Sequence, residues 1–278
     1  MSKETLSPRS FDEYGALKKV IMCEPAFLSL PKGADSSNNI NIKTAQKQHD
    51  ELIVALEHFG VEVILLRADP HHPEQVFTRD IGFVVGNTVF ITEMKKERRR
   101  KEEAFLKSWL NQKQVLYSDL SQDHIEGGDI IVDNGFVFIG LSDRTTVQSI
   151  RHMKHLLPDF QVMAVPFRDK FLHLDCIFNI ISPDEALLYQ GEMDEEAEAF
   201  LSKKYSLIKV SKAEQKSLGT NVLSIGSKKV FSIPENKEVN RQLRERGYEV
   251  IELKFSEMIK AGGSFRCCTF PLERDPYR

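Results

Sequence analysis

Cysteine is scarce in this chain: Cys23, Cys176, Cys267 and Cys268 are the only four in 278 residues. Adjacent cysteines rarely bridge each other, because the resulting geometry is strained. Cys267 and Cys268 are therefore expected as free thiols in a reducing, cytoplasmic setting. Long apolar runs are missing, so no membrane span is expected. The opening "MSKETLSPRS" is polar, and no secretory signal is expected from it. Neither charge sign is in large excess, with 38 basic against 41 acidic residues. That balance argues against a nucleic-acid binder, which normally carries a basic surplus. Metal-ligand spacing is absent as well. His71 and His72 sit in a Pro-bounded "HHPE" loop, and His152 and His155 are joined by no cysteine or carboxylate at ligand spacing, so no metal is expected.

What is present is a repeat. Four segments share one plan: "RDIGFVVGNTVFI" from Arg79, "GDIIVDNGFVFIG" from Gly128, "LDCIFNIISPDEALLYQ" from Leu174 and "TNVLSIGSKKVFSI" from Thr220. Each opens on a short acid or amide (Asp80, Asp129, Asp175, Asn221) and reads as strand, turn, strand. A helical stretch and a further short strand follow each hairpin, with a period near fifty residues. Val147, Ile150, Met153 and Leu157 mark the inward face of one such helix. "LKKVIMCEP", "TAQKQHDELIVALEHFG" and "VEVILL" supply a fifth, permuted unit, whose missing strand is "SFRCCTFPL" near residue 270. The pattern predicts an α/β fold: a five-bladed propeller of ββαβ modules with pseudo-fivefold symmetry, residues 1–278 forming one domain.

In a closed ring, equivalent positions face one axis. Asp80, Asp129 and Asp175 would then share a pocket, where mutual repulsion is costly unless a cation joins them. The short motifs "FTRD", "IEGGD", "HLD" and "GGSFRCCTFP" add Glu126, His173 and the cysteine pair. A cysteine hydrolase of amides needs donors for a developing oxyanion, and carboxylates are the wrong field for that. They suit a carbon that is already cationic, such as that of a guanidinium, whose planar N–H fork matches carboxylates. A thiolate attacking that carbon, with His173 as acid and then base, completes the chemistry. Nearby acids should raise the free thiol's pKa and a bound cation should lower it, so thiolate formation is expected to be assisted by the substrate.

These motifs resemble the guanidine-modifying superfamily of arginine deiminases, dimethylarginine dimethylaminohydrolases, agmatine deiminases and amidinotransferases, over nearly the whole chain. The resemblance implies the five-bladed α/β propeller independently. "RCCTFPLERDP" is similar to the H-C-M-T-C-P segment of arginine deiminases, which places the nucleophile at Cys267; alternation along a strand would turn Cys268 to the opposite face. By the same resemblance His173 is the general acid/base, and Glu126 binds the guanidinium and supports the histidine. Asp80 and Asp175 grip guanidinium nitrogens, Asp129 is matched, and Arg144 of "SDRT" contacts a substrate carboxylate. Where many dimethylarginine hydrolases have H-L-K, this chain has "HLD". A carboxylate there would hydrogen-bond an unsubstituted nitrogen and crowd methyl groups.

The partner implied is a small cationic guanidino compound, with no cofactor; a homo-oligomer is left open. "PAFLSLPKGADSSNNINIK", 25–43, is expected as a lid, with Phe27 and Leu28 shielding the reactive carbon. "KKERRRKEE" reads as a solvated helix face, and Cys23, Cys176 and Cys268 as small buried apolar residues. Three rivals to hydrolysis remain at this stage. They are transfer of the amidino group to an amine, plain binding of cationic amino acids, and a metal hydrolase built on His173, Asp175 and Glu126.

Overall fold

The computed structural model of the chain describes residues 6–30, 39–121 and 124–277. β1 (Leu17–Cys23) leads through α1 (Ile42–His58) to the parallel strand β2 (Glu62–Leu66). Next come β3 (Gly82–Val85), β4 (Thr88–Ile91), α2 (Glu103–Gln112) and β5 (Tyr117–Asp119). β6 (Ile130–Asp133), β7 (Phe136–Leu141), α3 (Val147–Leu156) and β8 (Gln161–Pro166) repeat the plan. So do β9 (Phe178–Ile180), β10 (Glu185–Leu188), α4 (Glu195–Lys204) and β11 (Ser206–Lys209). After the short α5 (Lys212–Gln215) come β12 (Leu223–Gly226), β13 (Lys229–Ser232), α6 (Lys237–Glu245) and β14 (Glu249–Glu252). α7 (Ser256–Lys260) and β15 (Phe270–Arg274) complete the described elements.

The strands form five three-stranded sheets, ordered β3-β4-β5, β6-β7-β8, β9-β10-β11, β12-β13-β14 and β15-β1-β2. In each, the middle strand pairs antiparallel on one side and parallel on the other. The parallel partner arrives through a helix, as a parallel neighbour requires. β15 pairs antiparallel with β1, Phe270 opposite Ile21, and so supplies the strand that the fifth unit lacked. The α/β propeller of ββαβ modules is thus the observed fold.

Five apolar clusters fill the seams between neighbouring sheets. One joins the β3 and β6 sheets, through Phe83, Phe90, Ile130 and Ile139. Others join β6 to β9 (Phe138, Phe178), β9 to β12 (Leu187, Val230), β12 to β1 (Phe231, Val20) and β1 to β3 (Ile21, Val84). Five seams between five sheets close the ring. The turns follow their residues. Asn134 and Gly135 both have positive φ, the primed two-residue hairpin geometry expected of "DNGF". Asp194 caps α4 by accepting from the N–H groups of Glu196 and Ala197, and Lys203 and Lys204 lie in its last turn.

Three local readings change. Residues 95–110 are not one helix: a 3-10 turn over Glu97–Arg99 comes first, Lys101 has φ 80, and the helix begins only at Glu103. Val147 opens α3 but is exposed, because the helix turns its Ile150 and Met153 side to the sheet. Cys267 and Cys268 do not lie on a strand. Residues 265–268 are a turn, closed by Cys268 N–H to Ser264 O (3.1 Å), and β15 starts two residues later. Pleat alternation therefore cannot decide between the two thiols.

Candidate active site

Each blade begins with a turn that leads into its first strand, and five such turns meet in the middle. They carry Asp80, Glu126 with Asp129, His173 with Asp175, Asn221, and Cys267. Tight backbone approach makes this possible. A Cβ on Gly128 would lie 2.4 Å from His173 Nδ1 and 3.0 Å from Asp80 Oδ1. A Cβ on Gly127 would lie 2.1 Å from Arg79 O. The two glycines of "EGGD" therefore let one turn slide beneath the histidine and against the neighbouring blade.

His173 is buried, its Nε2 donating to Glu126 Oε2 at 2.8 Å and its Nδ1 3.6 Å from Asp80 Oδ1. Burial alone would lower its pKa, but Asp80, Glu126 and Asp129 outweigh that and push it up to about 10. The imidazole is thus held as imidazolium at neutral pH. Glu126 moves the other way. Burial opposes its charge, yet the His173 hydrogen bond and the charges of His173, Arg99 and Arg144 hold it below the usual carboxylate range. Arg144 Nη1 lies 3.1 and 3.2 Å from the two Glu126 oxygens, so Arg144 is paired with Glu126 in this structure.

The thiol of Cys267 is buried and donates to Asn221 Oδ1 at 3.4 Å; the Cys267 N–H reaches the same oxygen at 3.3 Å. Arg79 N–H donates to Cys267 O (3.1 Å), which fixes the Cys267 turn directly against the residue before Asp80. Burial, then the charges of Asp175 and Asp80, push the thiol well above its ordinary pKa. Two carboxylates flank this thiol with unused hydrogen-bonding capacity. Asp80 Oδ1 accepts no hydrogen bond. Asp175 is fully buried, its Oδ2 also accepts none, and its Oδ1 receives only a weak S–H contact from Cys176 at 3.9 Å. Burial pushes Asp175 above the usual range, against the pull of Arg266 and His173.

Asp129 is engaged by neighbouring protein groups. Its Oδ1 accepts the Leu174 N–H (2.9 Å) and its Oδ2 accepts Ser142 and Thr145 hydroxyls (2.7 Å each). Those three donors take both oxygens, so Asp129 holds the "HLD" turn and the 142–145 segment in place. Leu28 is buried in the same apolar cluster as Cys267 and Phe77, whereas Phe27 faces solvent, 43% exposed. Residues 31–38 of the expected lid lie outside the described residues.

Sequence reading missed two groups here. Arg99, within the charge run taken as a solvated face, is buried and donates to Asp80 Oδ2 at 2.6 Å and to Glu102 Oε2 at 2.8 and 3.0 Å. Asn221 was visible only as the fourth repeat's amide; its phase in the repeat was the available signal. As for a metal, ligand atoms of Asp80, Glu126 and His173 lie within 4.8 Å of one another. Arg99 and Arg144 already neutralise the two carboxylates, and both would repel a divalent cation.

The comparisons with known proteins bear on the family and the fold. Residues 29–274 match the family model described as N,N dimethylarginine dimethylhydrolase, eukaryotic. The uncharacterized protein YkgA of Bacillus subtilis (strain 168) is 46% identical over 268 residues, covering 94% of each chain. An arginine deiminase of Latilactobacillus sakei is 26% identical over 253 residues, covering 73% of this chain and 62% of its own length. Among solved structures, the N-terminal domain of ArgZ, an arginine dihydrolase from cyanobacteria, superposes with a TM-score of 0.84 at 22% identity, covering 92% of this chain and 97% of that one. Fold and site motifs define a guanidine-modifying superfamily protein, and within that superfamily the chain belongs to the dimethylarginine dimethylhydrolase family.

Proposed function

We propose that this protein is a cysteine hydrolase of guanidino compounds of the arginine or N-methylated arginine class, releasing a ureido product such as citrulline and an amine or ammonia. The observation that carries the reading is the pair of buried carboxylates, Asp80 and Asp175, each with an unpartnered oxygen beside the Cys267 thiol. An orphaned buried carboxylate oxygen is costly alone and is satisfied by a cation with fixed N–H groups.

In the reaction the bound guanidinium lowers the thiol's pKa, the Cys267 proton passes to solvent, and the thiolate attacks the central carbon. Imidazolium His173 gives its proton to the departing nitrogen, leaving an amidino group on sulfur. The neutral imidazole then takes a proton from water as that water attacks the same carbon. Collapse breaks the C–S bond, passes the proton of the added hydroxyl to the departing sulfur, frees the ureido product and returns the thiol. Glu126 stabilises the imidazolium and holds its ring; Asn221 holds the resting S–H. Asp175, where others in the family carry lysine, favours an unsubstituted nitrogen, so arginine-type substrates should outrun dimethylated ones.

The test is a panel of arginine, its methylated forms, agmatine and small guanidines, with Cys267→Ser as control. Ureido product from parent and none from the variant is expected. Binding without turnover of any member would overturn the hydrolase, and a new guanidine formed on an added amine would make the protein a transferase.

A further inference from the structure

Arg266 directly precedes the nucleophile and is buried. Its Nη1 and Nη2 grip both oxygens of Glu13, at 2.6 and 3.0 Å, and Nη2 also donates to Ile130 O at 3.0 Å. Nη1 is 3.4 Å from Asn179 Oδ1. The remaining nitrogen, Nε, lies 3.4 Å from Asp175 Oδ2 without making a hydrogen bond. Glu13 is itself held by the Val132 N–H at 3.2 Å and lies 3.9 Å from Arg79 Nη1. One side chain thus links the segment before β1, two blades, Asp175 and the nucleophile turn.

We propose that Arg266 is a positioning residue. Its guanidinium, anchored on Glu13, holds the Asp175 carboxylate beside Cys267 with Oδ2 free of any hydrogen bond, and its positive charge favours the thiolate. The logic mirrors the other acid of the site. Arg99 stands behind Asp80 as Arg266 stands behind Asp175, so each acid is neutralised from the rear and left open in front. The difference is that Arg99 makes a true hydrogen bond, whereas Arg266 spends its hydrogen bonds on Glu13 and offers Asp175 charge alone. That leaves Asp175 able to take a new donor without losing an old one. The charged and titratable groups facing Arg266 are Glu13, Asp175, Arg79, Arg274 and Cys267. Those facing the thiol are Asp175, Asp80, Cys176 and Arg266. Glu13 is shared among three arginines and held to about pKa 2, so it stays charged throughout the working range.

The proposal rests on Cys267 as nucleophile, and its test needs no turnover. The rate of Cys267 alkylation by iodoacetamide is followed against pH, with Cys267→Ser subtracted for the other thiols. Glu13→Gln keeps an acceptor for the fork but removes the negative charge that offsets Arg266. Its thiol midpoint should fall, on the order of one pH unit. The double variant Glu13→Gln with Arg266→Gln avoids stranding Glu13, and its midpoint should rise above the parent's by a similar amount. Both are checked for a cooperative melt. Opposite shifts support the proposal. Equal midpoints in folded variants, or shifts of the same sign, overturn it, since a merely structural role does not set the sign. If the double variant fails to melt cooperatively, the Glu13→Gln shift decides alone, and its absence overturns the charge role. Where turnover is measurable, Glu13→Gln should change KM more than kcat, because Asp175 meets the substrate before chemistry begins. Lack of any turnover in the parent, with the alkylation shifts intact, would defeat the hydrolase reading and leave this one standing.

Discussion

Replacing Asp80 by Asn tests the electrostatic account most directly. Asp80 does three things at once: it offers Oδ1 toward the pocket, accepts from Arg99 at Oδ2, and leads the charges that keep His173 protonated. The substitution removes one charge-assisted contact to the guanidinium, a loss of about 1.5–3 kcal/mol. That corresponds to roughly a ten- to hundredfold weaker binding. The same change removes a negative charge from the thiol's surroundings, so the Cys267 titration should move down while affinity falls. Calorimetry of arginine binding to Cys267→Ser, with and without Asp80→Asn, gives the first quantity; alkylation against pH gives the second. The combination is diagnostic when Asp80→Asn keeps the parent's cooperative melt, because loosening that admitted water would also lower a thiol raised first by burial. Unchanged affinity together with an unmoved thiol would refute the reasoning, since no other residue described here could replace both roles.

Three further outcomes are expected. Gly128→Ala drives a methyl to within 2.4 Å of His173 Nδ1; turnover should fall roughly a hundredfold with the melt kept cooperative, and parent-like kinetics would show that the histidine needs no such close fit. Arg99→Met strands Asp80 and Glu102 and should lower stability by about 3–5 kcal/mol in urea titrations, whereas an unchanged midpoint would mean that the pair is dispensable. His49 is buried with neither ring nitrogen bonded, and burial pushes it from 6.5 down to about 4. Below pH 6.5 the unfolded chain takes a proton that the folded one refuses, so stability declines from pH 6.5 toward 4 by up to about 3 kcal/mol. His49→Leu should flatten that part of the pH–stability curve relative to the parent, and an identical slope in both proteins would refute the assignment.

The fold was legible because hairpin, helix and strand recur with a steady period, and because the Gly, Asn and Asp turns mark each hairpin. Even the permuted fifth unit could be completed from residues 270–274. The motifs singled out Asp80, Glu126, His173, Asp175 and Cys267 as candidates, and the fold sets Asp80 and Glu126 against His173. What stayed hidden depends on partners remote in sequence. "SFRCC" reads as strand, since nothing local announces that Arg79 and Asn221 hold Cys267 in a turn. In "KKERRRKEE" six cations look alike until the fold carries Arg99 to Asp80, 19 residues earlier. Asp129 matched the acid pattern, but its three donors come from Ser142, Thr145 and Leu174, which no spacing rule connects. Glu13 gave no signal at all.

The strand that seals the circle is also the last of the described elements to leave the ribosome. Until β15 emerges, β1 presents a bare edge where Ile21 will meet Phe270, and such an edge is a template for wrong pairings. Contacts that span almost the whole polypeptide make folding slow. The thiol turn travels with that strand, so the sulfur reaches its acid neighbours only when the barrel of blades shuts. A half-made chain thus keeps the thiol apart from the acids that surround it in the finished fold.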